Sequence, residues 1–230
     1  TGNVTDGGSI DLNGVTGDGD GPRVVVGQAG EGTINVEAGS VRIFGQESSG
    51  SLVLGEAFGS EGVVNLTNGA ARLTVGGDEG GITIIGEAGT GRLNILNSGQ
   101  LTSPNGGISV VAKESTSEGY VTVDGGGSRW DAGTSLYVGL DVNTANGNVL
   151  GEGGEAVISV INGGTIEADS IYIGNGLVTG VGNLNGDVVN QGGVIAPGAN
   201  LGLLTVGGDL TLETGQVDLE LSGLEARNFD

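Results

Sequence analysis

The chain has 230 residues, 52 of them Gly and 3 Pro, and sets 28 Asp and Glu against 7 Lys and Arg, a formal net charge of −21. With neither Cys nor His it can form no disulfide, thiolate zinc site, cysteine nucleophile or Ser-His-Asp triad, and so acidic a surface repels phosphate backbones, so no nucleic-acid partner is expected. The 27 Val, 21 Leu and 14 Ile suffice for a core, and no apolar run reaches the roughly 20 residues of a membrane span. Without a Met, the sequence reads as a processed or excised segment of something longer.

Before Arg23 the chain reads as partial coils. There, Gly17-Asp18-Gly19-Asp20-Gly21 sets two carboxylates two residues apart on flexible backbone, the look of a calcium turn, although no Glu ligand follows at the twelfth position. Asp18 and Asp20 are the metal candidates, with Ca²⁺ the one cofactor considered; a plain acidic turn has the same pattern.

From Val24 onward three kinds of short segment alternate. One ends in Gly: Val24–Gly27, Leu52–Gly55, Ile82–Gly86, Leu136–Gly139 and Ile171–Gly174, with Ala112 in the Gly place after Ile108–Val111. The next begins with Gly and alternates aliphatic with small polar residues: Gly32–Val36, Gly62–Leu66, Gly91–Ile95, Gly119–Val123, and Ala156–Val160 with Ala for Gly. Its copies start 30, 29, 28 and 37 residues apart, and the long step places an insertion within Leu140 to Gly154. The third follows a turn: Val41–Ile43, Ala71–Val75, Leu101–Thr102 and Thr165–Ala168.

The alternation has period two, and the corners are rich in Gly, Asn, Asp and Ser. Three short strands per repeat with such corners predict an all-β parallel β-solenoid, its strands stacked about 4.8 Å apart and its core made of columns such as Ile34, Val64, Leu93, Val121 and Ile158. A β-sandwich, the competing architecture, does not predict one motif recurring five times at this period. Residues 1–176 hold the repeats of about 29 residues and 177–230 shorter, continuous coils, eight or nine rungs in all.

Gly119-Tyr-Val-Thr-Val-Asp-Gly-Gly-Gly-Ser-Arg-Trp130 leading to Leu136-Tyr-Val-Gly139, and Val160-Ile-Asn-Gly-Gly-Thr-Ile166 leading to Ile171-Tyr-Ile-Gly174, resemble the repeat of autotransporter (type V secretion) passenger domains and PEP-CTERM-sorted surface proteins. Gly193–Gly202 with Leu204–Leu212, and the closing Asn228-Phe229-Asp230, resemble the late segment of such passengers. The resemblance implies a single-stranded right-handed parallel β-helix, secreted or displayed at the cell surface. Neither barrel-type strands nor a sorting tail is read in this sequence.

Stacking also makes columns of charge. Glu31, Glu61, Thr90, Glu118 and Glu155 precede the Gly motif, and Gln28, Glu56, Glu87 and Lys113 follow the other. A bridging cation, with oxygen ligands selecting Ca²⁺, would relieve the repulsion between rungs; splayed into water instead, these side chains keep the stack soluble. Asp141 to Gly147 reads as an inserted surface loop, and Gly76–Gly80 as a turn with two adjacent acids. Glycan cleavage would need two carboxylates beside a ring, and the candidate rings are Trp130, Tyr120, Tyr137 and Tyr172. Trp130 resembles the family's turn Trp, which implies a cap at the corner, and Arg42 with Arg72 reads as the one stacked basic pair at equivalent positions of adjacent repeats. The expected function is therefore that of a structural or adhesive surface stalk or fibre subunit that self-associates, with no catalytic residues assigned. A polysaccharide-binding or -cleaving protein is the alternative.

Overall fold

A computed structural model of the chain describes residues 1–13, 21–45, 49–77, 80–104, 106–198 and 202–220. Among these residues all regular structure is β: there is no helix, so none is long and apolar enough to cross a membrane. Two long sheets of parallel pairs carry the chain, with one short antiparallel pair beside them.

The first sheet has nine strands, from Gly2–Val4 to Gln216–Val217, each bonded in parallel to the strand of the next repeat. The second has 14 strands in two runs, one from Gly8–Asn13 to Arg129–Asp131 and one from Arg23–Val26 to Ser135–Val138. Both runs end on the nine-residue strand Thr165–Ile173, whose two halves pair with one run each. Asn183–Asn190 then pairs with both halves, and Thr205–Val206 and Leu210–Leu212 extend it. Each repeat thus visits three columns of strands in turn.

The register follows the sequence motifs. Gly32, Gly62, Gly91, Gly119 and Ala156 stand opposite one another, at steps of 30, 29, 28 and 37 residues. Beyond them the steps shorten: Ala156 pairs with Gly176, Leu177 with Val194 and Val194 with Gln216, which is 20, 17 and 22 residues. Because strand side chains alternate faces, one set of positions turns inward in every repeat. Val36, Leu66, Ile95, Val123 and Val160 form one fully buried column and Val64, Leu93, Val121 and Ile158 another. Burying each such side chain contributes roughly 1.5–3 kcal/mol.

Where the second sheet hands over to the first, the chain bends sharply at Gly27, Gly55, Gly86 and Gly139, whose φ values are +73°, +65°, +81° and +64°. A Cβ on Gly55 would collide with the Thr90 carbonyl of the next repeat. Ala112 occupies the same place at φ +55°, a conformation that costs an L-residue about 1–2 kcal/mol.

Two expectations need correction. Arg42 and Arg72 do not stack, because Arg42 stands opposite Thr74 and Arg72 opposite Ser40. Arg42 lies instead over the Phe44 ring, 5.5 Å from its centre, while Arg72 donates to the Ala71 carbonyl. Trp130 does not cap a corner. It sits in the strand Arg129–Asp131, inward in the column Leu73, Leu101, Trp130, Ile166 and Leu184, and is 0% exposed.

Candidate functional site

The outward face of the first sheet carries three ladders side by side. Glu31, Glu61, Thr90, Glu118 and Glu155 form the expected column. Two residues along each strand come Thr33, Val63, Arg92, Tyr120, Val157, Leu177 and Val194. The two columns are stitched together: Arg92 Nε donates to Glu61 at 2.9 Å, its guanidinium lies 4.3 Å from the centre of the Tyr120 ring, and the Tyr120 hydroxyl donates to Glu118 at 3.2 Å. Burial, then the bond to Glu118, pushes the Tyr120 phenol above its ordinary value.

The third ladder is of asparagines, a feature the motif's small-polar place hinted at without revealing its bonds. Asn35 donates to Asn3 at 2.8 Å, Asn65 to Asn35 at 2.7 Å and Asn94 to Asn65 at 2.8 Å. Thr122 and Ser159 continue the column without side-chain amides.

At the corner between the sheets, Glu56, Glu87 and Lys113 stack through backbone bonds to Gly27, Gly55 and Gly86 of the preceding repeats. Arg23 reaches Glu56 at 2.7 Å and Glu87 at 3.3 Å, so a guanidinium supplies the positive charge between these acids. Burial, the largest influence, still pushes the Glu87 carboxyl up. Lys113 Nζ lies 3.6 Å from Asp141. On the other run, Arg129 pairs with Glu167 and more distantly with Asp131.

The insertion is more than a surface loop. Leu140–Asn143 and Asn148–Glu152 form an antiparallel hairpin that lies on the outer face of the second sheet. Leu140 and Val142 pack on Val110 and Tyr137, the Tyr137 hydroxyl donates to Gly147 O at 2.9 Å, and its ring stacks on Tyr172 with centres 5.2 Å apart. Beside the hairpin tip is an open cleft of about 440 Å³, with Ile82, Ile108, Thr144 and Ala145 in its lining.

Trp130 is enclosed, Tyr137 lies under the hairpin, and Tyr120, the ring beside the acid column, has Arg92 over its face. Asp18, Asp20, Asp78 and Glu79 lie outside the described residues, and among the described residues no three acids gather in a way that could hold a metal ion. No family model, no curated protein and no solved structure matches the chain.

Proposed function

We propose that the chain is part of a single-stranded, right-handed parallel β-helix of the autotransporter-passenger or PEP-CTERM-associated type, secreted or displayed on a cell surface as a structural or adhesive stalk. The observation that carries this reading is the parallel register that runs from Gly2–Val4 to Gln216–Val217 without a break in the first sheet. Eight steps of about 4.8 Å give a stack roughly 40 Å tall. Its acidic exterior suits a polymer that must stay soluble.

Self-association belongs to the same reading. Leu210 and Leu212 are 45% and 49% exposed, although they continue columns that are buried at Leu136, Ile171 and Val188 and at Val138, Ile173 and Asn190. A further layer of strands, from another copy or from continuing chain, would cover them.

The test is protease shaving of intact cells that express the full-length gene. Peptides from Val24 to Gly176 released without lysis are expected. Their release only after lysis overturns the surface reading, and left-handed winding in a crystal structure overturns the helix.

A further inference from the structure

The outward column beside the acids changes character along the stack. Thr33, Val63 and Arg92 give way first to Tyr120, whose ring has Arg92 over one face and whose hydroxyl bonds Glu118, and then to Val157, Leu177 and Val194, three aliphatic positions in unbroken register. The change coincides with the step in repeat length. After the 37-residue repeat that contains the hairpin, the repeats shrink to 20 and 17 residues. An open groove of about 280 Å³ lies at this step, lined by Glu155, Val157, Asn175, Leu177, Gly193 and Val194. The hairpin strand Asn148–Glu152 that leads into Glu155 exposes Val149 and Leu150 at 46% and 66%.

The spacing selects what fits. Apolar side chains recur along the stack every 4.8 Å or so. An extended peptide presents one face every two residues, about 6.8 Å, and falls out of step at once. An α-helix presents a face once per turn, about 5.4 Å, and drifts by only about 0.6 Å per step. Charge sets the flanks. Glu118 and Glu155 stand in register two residues from Tyr120 and Val157, and among the described residues neither forms an ion pair. On the opposite side are the hydroxyls of Thr122, Ser159 and Thr179.

We propose that the stripe Val157–Leu177–Val194, with Tyr120 at its end, is a docking groove for an amphipathic α-helix of a partner protein, laid along the stack axis, with Lys or Arg on the flank facing Glu118 and Glu155. A second copy of this chain is a poor occupant of this groove, because its described residues contain no helix. The groove follows from strand register alone, so docking and surface display can fail separately.

The experiment uses three labelled synthetic 18-residue peptides and fluorescence anisotropy: Leu and Lys in a helical pattern, Leu and Glu in the same pattern, and Leu and Lys alternating with period two. The helical Leu/Lys peptide is expected to bind the protein more tightly than either control. Leu177→Asp should weaken it about tenfold or more. The double variant Glu118→Gln, Glu155→Gln leaves the apolar stripe in place and should weaken binding several-fold while flattening its salt dependence. Absence of binding, equal affinity for the period-two peptide, or affinity unchanged in both variants overturns the proposal.

Discussion

The side-chain amide of Asn65 donates to the amide oxygen of Asn35, one repeat away, at 2.7 Å, and Asn65 in turn accepts from Asn94. Asn65 is therefore an interior member of its ladder and Asn94 a terminal one. Each such bond contributes about 1 kcal/mol net. Asn65→Ala should cost about 1–2 kcal/mol in urea unfolding and Asn94→Ala about half as much. Equal costs would show that the ladder is not the source of the effect.

The corner column permits a paired test of backbone strain. Gly55→Ala places a methyl against the Thr90 carbonyl at positive φ and should destabilise by about 2 kcal/mol or more. Ala112→Gly relieves φ +55° but gives up a buried methyl worth about 0.8 kcal/mol, so it should change stability by less than about 1 kcal/mol in either direction. Thermal melts of the two variants separate these outcomes, and a harmless Gly55→Ala would contradict the crowding at this corner.

Two carboxylates should respond oppositely to neutralisation. The hydrogen bond from Arg129 is the largest influence holding Glu167 below its ordinary value, so its stabilisation is present at neutral pH and is lost as pH falls through its lowered folded-state value. Glu167→Gln should cost about 1 kcal/mol or less at pH 7, since both partners are solvent-exposed in part. Burial raises Glu87, so the folded state holds that proton more tightly than the unfolded chain and loses stability as pH rises through the raised value. Glu87→Gln should leave the protein at least as stable at pH 7, with Glu56 still paired to Arg23. Both differences should shrink toward zero below about pH 4, as chemical unfolding across pH would reveal.

The hairpin is fastened by Tyr137. Tyr137→Phe keeps the stack on Tyr172 and removes the bond to Gly147, for an expected loss of about 1 kcal/mol. Tyr137→Ala also empties the patch under Leu140 and Val142 and should cost about 3 kcal/mol. Limited proteolysis should then cut first between Asn143 and Gly147. Cleavage elsewhere in the alanine variant would mean that the hairpin is held by other contacts.

The columns were legible because two periods reinforce each other: an alternation of two along each strand and a recurrence near 29 along the chain. The first selects which residues face inward, as at Ile34 and Val64, and the second selects which of them meet. The pairing of Arg42 with Arg72 failed for a specific reason. A slip of two residues keeps every side chain on its own face, so alternation alone cannot detect it, and Val41 in fact meets Leu73. Trp130 was misplaced because its role was carried over from the turn Trp of the family it resembles, whereas here the strand resumes at Arg129 and takes Trp130 inward. The bonds that organise the outer face were hidden for another reason: whether Arg92 turns toward Glu61 and Tyr120 depends on rotamers, which no spacing encodes. Asn190 interrupts the inward aliphatic column after Ile173, yet it is fully buried because its amide bonds the backbone of Gly193 and Gln216.

Across the described sheets, no parallel strand residue finds its partner more than 37 residues away, and the late repeats close over as few as 17. Loop-closure cost grows only slowly with length, so each repeat that docks meets nearly the same entropic toll as the one before it. Once one turn of chain is in place, its edge is a template for the next, and order can advance from a single seed in either direction. Such a chain can therefore order progressively from one end, without waiting for the other.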